Sequence, residues 1–249
     1  MKLNRARVMN YKSIDDSGWV SADDVTCLVG KNESGKTAFL HALKRLNPVD
    51  GFDANFDIKD YPRKGYVSYK RLHEKQPAAA VSGEFELSQQ ELEQIEADLG
   101  EGVMKSPRVI VTKNYKNQRL WEIDVDDAAV VRCVLSDAAL PEAIQRRVED
   151  AKTLEELLTR LKSVEVKPAS VQMLLVQLQE KFNTDTRQQV IDDYLDKFMP
   201  GFVYFDDYSA MRGRISIQDL RWRRDSDGHL DDADRTFLSL LSLVGTDLE

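Results

Sequence analysis

Cysteine is nearly absent. Cys27 and Cys133 are the two in 249 residues, too few for a disulfide framework or a four-ligand zinc site. Three histidines leave little scope for His-rich metal chemistry. No apolar run approaches the roughly 18–20 residues that cross a bilayer, so no membrane partner is expected. The opening residues MKLNRAR have no apolar stretch of the kind a secretory signal needs, and the expected compartment is the cytoplasm. There is no repeat at a 20–50 residue period and no low-complexity tract. Positive charge is in deficit, with 35 Lys and Arg against 43 Asp and Glu and a net charge of −8. That excludes a general nucleic-acid coat and leaves room for a local basic patch. What is present is 42% hydrophobic and 31% charged residues, enough apolar content for a buried core.

Residues 2–29 read as strands. Val25-Thr26-Cys27-Leu28-Val29 is a nearly continuous apolar run, suited to a strand buried on both faces, with Cys27 a small core hydrophobe. A Gly-rich turn and a helix follow, with Phe39, Ala42, Leu43 and Leu46 on one stripe. Residues 47–77 look irregular. Val81, Phe85 and Leu87 alternate with polar residues, the pattern of a half-buried strand. Ser88 to Glu91 is a capping box that opens a helix ending at Gly100. Arg108–Thr112 and Leu120–Val125 read as two more strands. From about 128 to 198 the pattern is helical, with Pro141 at a first helical position and a capping box at Thr153–Glu156. Phe202–Phe205 is a strand candidate, Ile215 and Ile217 belong to another, and Thr236–Val244 is an apolar helix. The expected division is 1–127, 128–200 as a helical insert, and 201–249.

Gly30-Lys31-Asn32-Glu33-Ser34-Gly35-Lys36-Thr37 matches G-x-x-x-x-G-K-[ST] without a mismatch. At ordinary composition the pattern arises by chance in about one chain per hundred of this length. Gly30 and Gly35 let the backbone curl so that successive N–H groups face phosphate oxygens. The helix starting near Lys36 adds the positive end of its dipole. Lys36 is a point charge for the β- and γ-phosphates, and the Thr37 hydroxyl is a ligand for Mg²⁺.

Asn10-Tyr11-Lys12-Ser13-Ile14, a short arm, and then Leu28-Val29-Gly30 through Ala38 resemble the start of an ABC-type ATPase head. The group contains RecF, the structural-maintenance-of-chromosomes proteins and the overcome-lysogenisation-defect (OLD) nucleases. The wording of residues 30–37 looks closest to the OLD-like branch and its anti-phage relatives. The three-strand region 79–126 and Phe202–Tyr208 also look like that branch, and the resemblance spans most of residues 2–248. It implies an α/β P-loop fold with an antiparallel β-meander arm and a helical insert. It also implies binding of ATP and Mg²⁺, pairing with a second head, and coupling of the ATP cycle to DNA in repair or phage defence. Lys12 and Ser13 would sit beside the nucleotide with Gly30, Asn32, Glu33, Ser34, Gly35, Lys36, Thr37 and Ala38; a solvated surface lysine is the competing reading of Lys12.

The sequence departs from the family pattern in lacking a Leu-Ser-Gly-Gly-type signature and a later apolar strand ending in Asp-Glu. It is therefore expected to be the N-terminal lobe of a longer ATPase, with any nuclease domain or partner effector lying elsewhere. In Phe202–Asp207 the Walker B reading makes Asp206 a Mg²⁺ ligand and Asp207 the group that orients water. The alternative is a strand running into a polar loop, which the order of the motifs favours. Gln218 is a candidate for a Q-loop position. Residues 59–75 mix cations with three tyrosines, a pattern that fits phosphate contact with base stacking or an exposed linker. Arg212, Arg214, Arg221, Arg223 and Arg224 around Trp222 fit a DNA or partner contact, or a basic strand edge. Two further function classes stand beside the DNA-coupled head. One is a regulatory or assembly module with little hydrolysis, and the other a self-contained P-loop kinase. The early meander argues against the kinase.

Overall fold

The computed structural model describes residues 1–32, 34–49, 54–182, 185–205, 214–226 and 230–246. Six strands form one sheet: β1 (Lys2–Tyr11), β2 (Ile14–Asp16), β3 (Val20–Ser21), β4 (Ala79–Glu86), β5 (Arg108–Asn114) and β6 (Arg119–Glu122). The order is β2-β1-β4-β5-β6, with β3 also pairing β1. β1 and β2 are antiparallel with Tyr11 opposite Ile14, so Lys12 and Ser13 form a two-residue turn. Lys12 takes φ of 53° there, and Asn10 one of 52°. Tyr11 and Val8 point into the core at 0% exposure. Arg7 donates to both carboxylate oxygens of Asp16 across the hairpin.

β4 differs from its half-buried expectation. Residues 80–85 are all buried, because the strand sits in mid-sheet between β1 and β5. The polar members are matched rather than exposed. Ser82 pairs with the Thr112 hydroxyl at 2.7 Å, and Glu84 with Arg108 at 2.6 Å. Two strands follow as expected, but β5 reaches Asn114 and β6 stops at Glu122 rather than Val125, which makes only an isolated bridge to Met104.

Val25–Val29 forms no strand. Residues 22–31 are irregular, Val25 is 89% and Val29 91% exposed, and Cys27 is exposed rather than a core residue. Apolar content is not sufficient for a strand, whose N–H and C=O groups need a ladder partner. Among the described residues no strand pairs with this run. Phe202–Phe205 likewise reduces to one parallel bridge between Phe202 and Pro48, with Phe205 52% exposed. Ile215 and Ile217 do not belong to a strand either. Ser216 caps a helix, its hydroxyl accepting from Asp219 N at 3.3 Å, so the local Ser-x-x-Asp start prevails over the apolar alternation.

The chain divides into two compact units. One comprises residues 1–2, 84–110 and 121–199. It is mostly helical, with α3 (Gln89–Leu99), α4 (Asp127–Asp137), α5 (Glu142–Val148), α6 (Leu154–Lys162) and α7 (Ala169–Lys181). The run continues through α8 (Thr186–Val190), a π-helical segment (Ile191–Leu195) and α9 (Asp196–Phe198). Ser88 and Glu91 form the expected capping box. Thr153 caps α6 through Glu156 N, while Glu156 turns its carboxylate to Lys152 N. Pro141 stands one position before α5 rather than inside it. Leu154, Leu157 and Leu161 on α6 are buried, with α4, α5 and α7 packed on it.

The other unit comprises residues 3–83, 111–120 and 200–249. It holds β1–β3, parts of β4–β6, α1 (Lys36–Lys44), α2 (Tyr66–Leu72), α10 (Ile217–Asp225) and α11 (Asp232–Leu243). The stretch expected to be irregular, 47–77, contains a 3₁₀ turn at Ile58–Asp60 as well as α2.

Candidate nucleotide-binding site

The Gly30–Thr37 loop leads into α1, with Gly35 as N-cap at φ 92° and ψ 4°. No side chain caps α1 and its first turn has no acidic residue, so the leading N–H groups and the dipole face outward without local competition. Gly35 is required by its backbone angle, and Gly30 lies close against the Ser34 side chain, which can turn aside. A Cβ on Gly30 would stand 2.8 Å from the Ser34 hydroxyl. One on Gly35 would stand 3.0 Å from Ile14 and 3.3 Å from the Ser13 hydroxyl, at a backbone angle that disfavours any side chain. Lys36 Nζ lies inside the loop and donates to the carbonyls of Gly30 and Lys31, both at 2.7 Å. Its ammonium therefore stands where the curled backbone concentrates polar groups.

Lys12, Ser13, Asn32, Gly35, Lys36, Thr37 and Ala38 line a cleft of about 450 Å³. A second cleft, of about 670 Å³, shares Ser13, Gly35 and Lys36 and adds the apolar walls of Ile14, Val20, Leu28 and Phe39. Ser34 and Gly30 border this second cleft. The β1–β2 turn and the phosphate-type loop, about twenty residues apart in sequence, are thus adjacent in space. Glu33, Asp206 and Asp207 lie outside the described residues, as do Tyr208 and Arg212. Gln218 is on exposed α10 and is not among the residues lining either cleft.

Behind the turn sits a cluster that sequence reasoning missed. Lys12 N donates to Asp60 O at 2.6 Å. The Asp60 carboxylate pairs with Arg45 Nη1 at 2.8 Å, and Arg45 is the C-cap of α1. Tyr115 donates its hydroxyl to Asn10 O. Tyr11, Phe56, Tyr61, Tyr69 and Tyr115 stack around these contacts at centroid distances of 4.1–5.8 Å. Burial raises the Tyr115 hydroxyl above its ordinary range. Lys113, 5% exposed, donates to the carbonyls of Arg45 and Ala54, both at 2.8 Å, and so caps the far end of α1. Burial first, then Arg119 and Arg45, lowers its pKa to about 8. Asn10 and Asn117, residues that tolerate left-handed backbone, were the one available signal for these turns.

Two of the three tyrosines of residues 59–75, Tyr61 and Tyr69, are engaged within the fold rather than free for base stacking, while Tyr66 is half-buried. Tyr69 is buried, stacked on Tyr61 at 4.1 Å, and accepts from Ala78 N. The cations of the same stretch, Lys59, Arg63, Lys64, Lys70, Arg71 and Lys75, are all exposed. Arg221–Arg224 lie on α10, not on a strand edge; Arg223 pairs with buried Asp234, and Trp222 is 68% exposed.

The donor set fits a nucleoside triphosphate: a glycine cradle that side chains would fill, a helix start free of acids, and two lysines at one cleft. Thr37, in the first turn, is the hydroxyl that fits Mg²⁺. Among the described residues no group of three or more His, Cys, Asp or Glu could hold a metal without the phosphates. No helix among them is long and apolar enough to cross a membrane. No curated protein matches this chain. A family model described as an AAA ATPase domain matches residues 1–198. With a phosphate-type loop opening α1 inside that span, the chain belongs to the AAA ATPase domain family.

Proposed function

We propose that this chain is an ATP-binding head of the RecF, SMC and OLD-like kind, which couples an ATP cycle to DNA. The observation that carries the reading is the seat of Lys36, held inside the curl of Gly30–Gly35 at an uncapped helix start. Two carbonyls hold the ammonium; a phosphate oxygen adds the attraction of opposite charges to the hydrogen bond. Triphosphate binding would draw Nζ from the carbonyls to the β- and γ-oxygens, while loop N–H groups and the α1 dipole receive the remaining charge. Lys12, Ser13, Asn32, Glu33, Ser34 and Ala38 complete the ligand set in this reading. Mg²⁺, when bound, would neutralise phosphate charge, and Thr37 is the residue that would hold it, with Asp206 the candidate for a contact through water and Asp207 the candidate for orienting the attacking water.

Coupling to DNA is supported by the exposed cations of residues 59–75 in a chain of net charge −8. With Tyr61 and Tyr69 packed against the fold, contact there would be chiefly to backbone phosphates. A second head is the partner expected to close over the nucleotide.

The test is an equilibrium titration of the folded chain with ATP. Lys36→Ala should lower affinity by at least a hundredfold with an unchanged circular dichroism spectrum. Thr37→Ala should weaken Mg²⁺-ATP binding more than binding of metal-free ATP. Unchanged affinity in Lys36→Ala would sink the assignment, and equal losses in Thr37→Ala with and without Mg²⁺ would remove the metal role.

A further inference from the structure

Two residues at one turn hold left-handed backbone without being glycine, Asn10 at φ 52° and Lys12 at φ 53°. Such conformations persist where the surroundings over-determine them. Here the surroundings can be named. Tyr115 donates to Asn10 O from one side. Asp60 O accepts from Lys12 N at 2.6 Å from another. The Asp60 side chain is fixed in turn by Arg45, whose guanidinium also lies 5.4 Å from the Tyr11 ring and 5.5 Å from the Phe56 ring. Asp60 belongs to a single 3₁₀ turn, Ile58–Asp60, with nothing in that turn buried. Beside the turn's own Asp60 N to Asp57 O bond, its side chain is held by the Arg45 pair and its carbonyl by Lys12. Arg45 ends the helix that the phosphate-type loop begins. Asp60 thus ties the Lys12 turn to the far end of α1, its backbone carbonyl bonded to Lys12 N and its carboxylate to Arg45, and Lys12 with Ser13 lines the loop's cleft.

We propose that Asp60 and Tyr115 are positioning residues for nucleotide binding: they act through Lys12, by holding its turn in the left-handed geometry that faces Gly35 and Lys36. The inference rests on the ATP-binding reading above. It assigns no contact between Asp60 and the nucleotide, whose phosphates a carboxylate would repel. When either restraint is removed, the turn relaxes toward ordinary backbone and Lys12, whose ammonium lies 5.3 Å from the Tyr11 ring centroid, is no longer held at the wall of the cleft. The cost is affinity, not fold, because the buried ring cluster remains.

The experiment measures Mg²⁺-ATP affinity of the full 249-residue chain, with circular dichroism and thermal melting as fold controls. Asp60→Ala and Tyr115→Phe are each expected to weaken binding about three- to tenfold, the scale of one lost hydrogen bond or ion pair. Asp60→Asn keeps an acceptor for Arg45 and should recover most of the loss. The decisive arm repeats Asp60→Ala and Tyr115→Phe in a Lys12→Ala background. A residue that acts through Lys12 has no further effect there, so the double variants should match Lys12→Ala within about twofold. Additive losses in that background would overturn the inference, as would wild-type affinity in both single variants. Tyr115→Phe carries the result alone if Asp60→Ala does not fold. If Lys36→Ala abolishes binding while Lys12→Ala leaves it intact, the inference fails and the ATP reading stands. A wild-type chain that binds no ATP overturns both.

Discussion

At the scale of single residues, Lys113 shows how burial becomes pH dependence. It is nearly enclosed, and two backbone carbonyls are its hydrogen-bond partners. Its pKa falls from the ordinary 10.5 to about 8. Above that value the folded chain releases a proton that the unfolded chain keeps until about pH 10.4. The unfolded state then binds more protons, so stability rises with pH across that interval. Tyr115 and Tyr194 work in the opposite sense, because burial, for both, raises the hydroxyl above its ordinary range. The unfolded chain loses those protons first, and stability falls above about pH 10. The unfolding free energy should therefore climb between about pH 8 and 10, by on the order of 1–3 kcal/mol, with the denaturant midpoint following it, and then turn down. In Lys113→Met the climb should vanish while the downturn remains. A midpoint that is flat from pH 8 to 10 in the wild type counts against the buried ammonium.

At the scale of elements, caps and glycines decide where helices stop. Ser88 starts α3 with a reciprocal box, and Gly100 ends it at φ 108°. A Cβ at Gly100 would lie 2.6 Å from Cys133 Cβ and 3.0 Å from Ala129 O, so α4 approaches this corner closely. Gly102 also has positive φ, 75°, but nothing lies within 4 Å of its would-be Cβ. The pair separates backbone strain from overpacking. Gly102→Ala should cost about 1 kcal/mol from conformation alone. Gly100→Ala adds a clash with α4 and should cost about 2–4 kcal/mol. Urea unfolding at constant m-value measures both; equal losses would show that α4 yields without strain. The helix starts at Ser88, Thr153 and Gly35 were legible in sequence, because each depends on contacts within four residues. The run Val25–Val29 was misread because a strand depends on a neighbour that local composition does not specify. Ile215 and Ile217 misled for the converse reason: two alternating apolar residues weigh less than the Ser216 cap beside them.

At the scale of the whole molecule, the expected behaviour is tight binding with little turnover. In the ATP-binding reading, Lys36, Thr37 and the loop amides would touch the phosphates in the ground state as well as in the transition state. Such uniform contacts lower Kd without accelerating the chemical step. Groups aimed at developing charge, as an opposing head would supply, act mainly on rate. In related GTPase chemistry a missing cation of that kind costs on the order of 10³–10⁵ in rate. Purified chain with Mg²⁺-ATP should therefore bind nucleotide while releasing phosphate far more slowly than once per second. Turnover near one per second that disappears in Asp207→Asn would instead make residues 202–207 a working Walker B segment.

The sequence by itself determined the loop chemistry. Spacing of Gly30, Gly35, Lys36 and Thr37 specifies a phosphate cradle because backbone curl and helix start are local properties. It determined the helical character of 128–198 and the strands at 79–86 and 108–122 for the same reason, since periodicity reports a buried face. Lys12 and Ser13 entered through family resemblance, not through spacing. Only the tertiary structure set that turn against Gly35, because the hairpin and the loop meet through the fold rather than along the chain. It also decided which way the tyrosines of 59–75 face. Tyr61 and Tyr69 find partners in Ala78, Tyr115 and each other, so these two rings pack against the fold while the cations lie on the surface. Asp60 and Tyr115 had no local signature at all, since their roles consist of two backbone hydrogen bonds to residues 48 and 105 positions away.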